Sequence, residues 1–528
     1  MNLRKHLLST LAWALLPATL SAQDKVSGYV FHDVNADGKK QPTEEGLAGV
    51  LVSNGLEVTP TDAEGKYKLS IRDDMIIHVI KPSGWKLPGN DVLPKFYFVH
   101  KPSGSPQLKY RGVAPTGPLP ASLDFPLLPS EEPRSFSALV FGDPQPNSLQ
   151  DVAFFEKDII EQIPNPEQYA FGISLGDIVN DNLDLYPAIT AATGRLKLPW
   201  FHVYGNHDMN YDARNFATLS ADEKDHLADE TWERVFGPAN YAFSYSGATF
   251  VNLDDVYYPT ASGGYIGGLR EDQKIWFTNL LAQLDKEKFL VVSMHIPLFD
   301  SWRAADLQFF LKALSPFKKV LTMSAHSHMQ QSYFFRKEDG RGWEGLTPHH
   351  HFNAGTTSGS WWGGKFDSEG VPETTMRDGT PNGYAVLSIQ DDQYRIEFHP
   401  TRYEGNSKGI LYVKPDLTAS RMLNVKANLF NLSEQARVSM RFVDQNGTTG
   451  RWLPMRFAPQ FDPMYVEKYD FMLAHPKTGR NLPAPANSYH FWEGDLSDNV
   501  GSTKVGGTVQ IKAEDFFCES FEMSYDLR

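Results

Sequence analysis

The stretch Val320-Leu321-Thr322-Met323-Ser324-Ala325-His326-Ser327-His328 decides how this chain is read. An apolar run ends there in two imidazoles at i and i+2, which on a strand end project to the same side and reach one small volume. Two histidines beside a strand are, taken alone, more often loop residues than ligands. Other apolar runs in the same segment, however, also end in metal-ligating residue types. Phe136–Phe141 precedes Asp143-Pro144-Gln145, and Ala170–Leu175 precedes Gly176-Asp177. Trp200–Tyr204 precedes Gly205-Asn206-His207-Asp208, and Phe289–Met294 precedes His295. Such donors suit Zn, Mn, Fe or Mg, and none is a thiolate.

Between these runs lie helix-length segments, Gln150–Gln162, Asp272–Leu284 and Asp306–Leu314, the last with Leu307, Phe310, Leu311 and Leu314 at i, i+3, i+4 and i+7. Alternating apolar runs, Thr249–Leu253 included, and helices predict βα units around buried sheet, with ligands bound beyond the carboxyl ends of the strands. Tyr384–Ile389 and Tyr394–Phe398 read as two closing strands.

At 528 residues the chain exceeds one core, at roughly 100–200 residues per domain. A net charge of −14 with no basic stripe argues against binding a nucleic-acid backbone. Any phosphate-bearing molecule would therefore have to be drawn in by metal charge and not by the overall field. Cys518 is the only cysteine, so stability comes from packing without an intrachain disulfide. In residues 1–22, Arg4, Lys5 and His6 precede the apolar run Leu11–Leu16, and Ser21-Ala22 offer small residues for cleavage. This is the pattern of a cleaved secretory signal, and it predicts a periplasmic or extracellular protein. No other run is suited to spanning a membrane.

Residues 23–133 read as a β-rich module. Val26–Phe31 alternates as a strand, and Leu47–Ser53 and Gly65–Ile71 follow as further short strands, with a Pro- and Gly-rich connector over 82–133. Asp33, Asn35, Asp37 and Gly38, with Glu44 at the twelfth position, have the spacing of a calcium loop and equally that of a hairpin turn. The order of strands and turns over residues 24–82 resembles prealbumin-like or Cna-B-like β-sandwich modules. Beyond Thr401 helical texture fades, and Leu423–Leu429, Val438–Phe442 and Thr508–Ala513 predict a small C-terminal β-sandwich over 403–528.

The ordered series of strand-end residues over roughly 136–400 resembles the calcineurin-like metallophosphoesterase family, whose motifs run Asp-x-His, Gly-Asp, Gly-Asn-His-Asp/Glu, His and Gly-His-x-His. The resemblance implies an α/β core over 134–402, an α+β sandwich, with β-sandwich-like domains on either side. It implies one cation held by Asp143, Gln145, Asp177 and His328, and a second held by Asp177, Asn206, His295 and His326. The cations would acidify a bridging water for in-line attack on a phosphate mono- or diester. By the same resemblance His207 contacts the phosphate and protonates the leaving oxygen. Asn180 and Asp208 are the implied supports, with Asn180 (Asp181 next) where relatives carry the aspartate that orients this histidine.

Two departures stand out. Gln145 replaces a histidine, a neutral amide oxygen that shifts its site from Zn toward harder ions such as Mn or Mg. Ala325 replaces the glycine before His326. Past the last ligand, Trp361 and Trp362 either stack on the organic part of a substrate or plug a domain junction, and Asp378 either lines that pocket or makes an Asx turn. His349, His350 and His351 are expected to alternate between burial and solvent. The reading is an exported metal-dependent phosphoric ester hydrolase. The alternative is a cell-envelope glycan- or protein-binding protein with a vestigial metal centre.

Overall fold

In a computed structural model of the chain, residues 25–88, 92–391, 393–415, 423–496 and 506–527 are described. The signal-like residues 1–22 lie outside them. Among the described residues no helix is long and apolar enough to cross a membrane.

The strand Ser135–Phe141 shows how the core is layered. Phe136, Ala138 and Val140 face one apolar cluster, while Leu139 and Phe141 face another with Val152, Phe154 and Phe155 of the helix Leu149–Asp158. A strand covered on both faces reads as a continuous apolar run, which is why these strands stand out in the sequence. The strand belongs to a five-stranded sheet in which Trp200–His202, Gly172–Ser174 and Ser135–Phe141 run parallel. Gly383–Gln390 and Gln393–Pro400 complete it antiparallel.

A second sheet of six strands has a parallel centre of Ala248–Asn252, Leu290–Ser293, Val320–Ser324 and His349–Asn353. Tyr241–Tyr245 and Gln331–Phe335 are its antiparallel edges. Phe250, Val291, Leu321, Met323 and Phe352 meet the first sheet's Phe136, Val140 and Phe171 in one cluster, so the core is a sandwich of two sheets. Helices Glu271–Gln283 and Ala304–Leu314 cover the outside, with Phe277 stacked on Phe310 at 5.4 Å. The parallel strands deliver their carboxyl ends to one rim of this sandwich.

The N-terminal module has two four-stranded sheets. The segment 82–133 is more than a connector, since Phe125–Pro129 pairs with Lys25–His32 and Tyr97–His100 pairs with Met75–Val79. The module docks on the core through Trp276 Nε1, which donates to Ser53 Oγ at 3.2 Å, and Asn279 Nδ2, which donates to Leu56 O at 2.9 Å. Two further four-stranded sheets form the C-terminal unit around Val425, Met440, Trp492 and Ile511. The reading of that region as helix-poor is corrected by Pro463–Ala474, a helix capped by Asp462, whose side chain accepts from Tyr465 N.

The histidine run also differs from expectation, because His349, His350 and His351 are all buried. His349 and His351 meet the Thr322 hydroxyl from either side at 2.8 Å, and His350 stacks on Phe334 at 4.7 Å. Both faces of this strand are covered, so period-two exposure does not arise. Burial pushes the His349 and His350 rings down to about 3.

His202, 4.6 Å from the ring of Phe236, is pushed by burial down to about 3 as well. The unfolded chain takes up a proton on such a ring near pH ~6.5 while the folded one stays neutral, so stability falls as pH drops below that value. Between pH 7 and 5 the His202→Phe variant is expected to lose about 2 kcal/mol less stability than the parent, measured by denaturant titration at each pH. Equal losses in the two proteins would contradict the assignment.

Candidate metal centre

The loops at that rim are shaped by unusual backbone. Asp143, Gln145, Asp177, His326 and His328 all have positive φ, between 35° and 68°. L residues adopt this region seldom, and it clusters where side chains are aimed for a purpose. His326 and His328 therefore reach the site from a left-handed loop after the strand Val320–Ser324, and not by strand alternation. The glycines beside the ligands have a steric reason. A Cβ on Gly205 would overlap the Asp177 backbone and carboxylate, and one on Gly176 would overlap the His295 ring. Gly142 lies next to the Ala325 methyl, which leaves that methyl room where the resemblance expects glycine.

Asp177 is buried, and its two oxygens serve opposite groups. Oδ1 lies 3.2 Å from His295 Nε2, while Oδ2 accepts from Gln145 Nε2 at 2.6 Å. His295 donates from Nδ1 to Leu175 O at 2.8 Å, which frees Nε2 to point inward. There Nε2 also meets Asn206 Oδ1 at 3.0 Å and His326 Nδ1 at 3.1 Å. Among the described residues, Asp177, His295 and His326 are the one set of three acidic, His or Cys side chains with ligand atoms all within 4.8 Å. On the other side, Asp143 Oδ1, Gln145 Oε1 and His328 Nε2 are buried with no hydrogen-bond partner in the protein. The His328 tautomer follows from Nδ1, which pairs with Gly359 O.

Orphaned buried acceptors of this kind are costly unless a further group satisfies them. Burial and the neighbouring Asp177 charge push Asp143 up to about 8, against His295. Burial disfavours a charged His295, yet Asp177 and Asp143 outweigh it and lift the ring to about 10. These carboxylates and imidazoles are thus crowded closely enough to compete for protons, and their electron pairs converge on one buried pocket. Carboxylates, imidazoles and amide oxygens fit hard or borderline divalent cations.

Supporting contacts fix the loops that carry these side chains. Asp208, fully buried, accepts from Ile178 N, Val179 N and Gly205 N at 3.0–3.3 Å, tying the Asp177 loop to the Asn206 loop. Asp255 accepts from His295 N at 2.9 Å and Ile296 N at 3.0 Å, a support that no sequence spacing announced. Asn353 donates to Ser327 Oγ and Met329 O, both at 2.7 Å, beneath the loop that carries His326 and His328.

His207 lies in the short turn Asn206–Asp208. The orienting residue expected at Asn180 is instead Asp181, whose Oδ1 is 2.8 Å from His207 Nδ1. Burial opposes the charged ring, but Asp177 and Asp181 outweigh it and lift His207 to about 9.

The pocket assignments need correction. Trp361 stacks on His328 at 3.6 Å and is part-exposed beside the centre. Trp362 is fully buried and donates from Nε1 to Pro144 O at 2.9 Å, so it holds the Asp143–Gln145 loop and plugs rather than recognises. Asp378 is also fully buried; it makes the Asx turn to Thr380 N at 3.0 Å and meets His490 Nε2 of the C-terminal unit at 3.1 Å.

In the N-terminal module, Asp33 accepts from Asp37 N and Gly38 N, while Glu44 accepts from Val34 N and Gln41 N at 2.9 Å. Asn35 Oδ1 accepts from Asp37 N. Backbone amides take up the oxygens of this proposed calcium loop, which is the hairpin-turn arrangement.

Compared with protein families, residues 136–330 match a model described as calcineurin-like phosphoesterase. Residues 34–110 match the N-terminal, and residues 351–521 the C-terminal, of calcineurin-like phosphoesterase. No curated protein sequence matches the chain.

Because Trp362 Nε1 fixes the Pro144 carbonyl, Trp362→Phe is expected to weaken Mn binding by about 10-fold, the scale for outer partners of a ligand. Isothermal titration of the stripped protein with Mn measures this. Unchanged affinity with an unchanged unfolding temperature would remove Trp362 from the account.

Proposed function

The chain belongs to the calcineurin-like phosphoesterases and is a metal-dependent phosphoesterase, and from that premise we propose that it hydrolyses its ester at two cations sharing Asp177. Asp143, Gln145, Asp177 and His328 would hold the first cation, and Asp177, Asn206, His295 and His326 the second. When bound, such a pair supplies positive charge to the phosphoryl oxygens and acidifies an attacking water. The observation that carries the reading is the orphaned trio Asp143 Oδ1, Gln145 Oε1 and His328 Nε2, buried opposite the His295 cluster.

The chain's own residues supply the rest. His207 is held at Nδ1 by Asp181, so Nε2 is the atom that delivers a proton to the leaving oxygen. The amide of Gln145 binds without adding charge, which favours Mn or Mg over Zn at that position. Trp361 and Tyr265, the latter 5.9 Å from the His326 ring and 37% exposed, flank the two histidine ligands as faces for the organic part of a substrate. Export is part of the proposal, resting on the composition of residues 1–22.

A phosphate-release screen of the Mn- and Zn-reconstituted protein against aryl phosphates and diesters, nucleotides, sugar phosphates and envelope lipids tests the reading. Asp177→Asn is expected to drop bound metal from two ions to one or none and to cut turnover roughly 100-fold or more. Two retained ions with no turnover of any ester would favour the glycan- or protein-binding alternative. For export, the N-terminus of the mature protein, read by mass spectrometry, is expected to follow Ala22; an intact Met1 in the purified protein would contradict it.

A further inference from the structure

The segment Leu108–Arg111 spans the end of the N-terminal match, and its Tyr110 reaches Asp181 beside His207. The core grips its backbone on both sides. Lys109 N donates to Asp212 Oδ2 at 2.8 Å, and Tyr110 N donates to Asn210 Oδ1 at 3.2 Å. Tyr110 O accepts from Thr231 Oγ1 at 3.0 Å, and Arg111 O accepts from Arg234 Nε at 2.8 Å. Asn210, fully buried, also donates to Thr231 Oγ1, which locks the two grips together. Lys109 Nζ sits 4.6 Å over the Tyr110 ring.

From this fixed position the Tyr110 hydroxyl donates to the carbonyl oxygen of Asp181 at 2.7 Å. Asp181 is exposed, in a left-handed conformation with φ 60°. Its amide donates to His207 O at 3.2 Å and its carboxylate holds His207 Nδ1. An exposed loop residue in an uncommon backbone conformation needs outside restraint to present one carboxylate orientation. The Tyr110 hydroxyl provides a restraint on the peptide that carries that carboxylate.

We propose that Tyr110, contributed by the N-terminal module, is a positioning residue for His207, acting through the Asp181 peptide. The module is then a structural part of the catalytic site. This inference rests on the reading of His207 as proton donor to the leaving oxygen.

The test compares the parent, Tyr110→Phe and His207→Gln, all full-length and Mn-reconstituted, on 4-nitrophenyl and phenyl phosphate, or on their methyl diesters if the monoesters are not turned over. Phenolate is the more basic leaving group and depends more on protonation. Loss of one oriented hydrogen bond is expected to raise the 4-nitrophenyl to phenyl ratio of kcat about five-fold in Tyr110→Phe. In His207→Gln the rise is larger. Metal content and unfolding temperature are read on the same samples and should match the parent for Tyr110→Phe. A purely structural role for Tyr110 would lower both substrates alike and leave the ratio unmoved. That result, with a raised ratio in His207→Gln, overturns the inference and leaves the acid role standing. An unmoved ratio in His207→Gln removes the acid role and the inference with it.

Discussion

One carboxylate constrains the rest of this molecule. Asp177 is buried at the centre, with Oδ1 turned to His295 and Oδ2 to Gln145, so donors from distant parts of the chain must approach it from two sides. That requirement accounts for the left-handed backbone at Asp143, Gln145, Asp177, His326 and His328, and for the absence of a Cβ at Gly176 and Gly205. It also accounts for the buried aspartates behind the ligands. Asp208 and Asp255 spend their oxygens on backbone amides, which fixes loops that would otherwise relax away from a crowded pocket of carboxylates and imidazoles.

The flanking modules enter this arrangement through contacts with the same loops. Tyr110, at the end of the N-terminal match, touches Asp181 beside His207. From the other side, His490 meets Asp378, which in turn accepts from Gln330 N two residues past His328. The two-stranded pairing of Gly364–Lys365 with Gly479–Arg480 joins the segment after Trp362 to the C-terminal unit. Loops that carry ligands are therefore braced from both neighbours, which is a reason for one chain to keep three units together.

Much of the core was legible in the sequence because its parallel strands are buried on both faces and end in donor residues. Phe136–Phe141 and Val320–Met323 differ by a residue at one end from the strands that form. The candidate metal-ligating residues were legible for the same reason, since each lies within a few residues past the end of such a strand. What escaped were contacts that depend on three-dimensional proximity alone. Asp255 and Asn353 support ligands far away in sequence, with no local pattern to mark them. Asp181 replaced Asn180 because a left-handed turn re-aims the side chain by one position. His349–His351 were misread since alternation reports exposure only when one face of a strand is open, and here Trp343 and Phe299 close the outer face over His349 and His351. The helix Pro463–Ala474 was missed although Asp462-Pro463 is a helix start signal, because its face is part-exposed and its apolar period weak.

The most direct test of this account is anomalous diffraction from crystals of the Mn-reconstituted protein. It predicts two peaks roughly 3.5–4 Å apart, one on each side of the Asp177 carboxylate, the first contacting Asp143, Gln145 and His328 and the second contacting Asn206, His295 and His326. A single peak that Asp177 does not share, or none at these side chains, would contradict it.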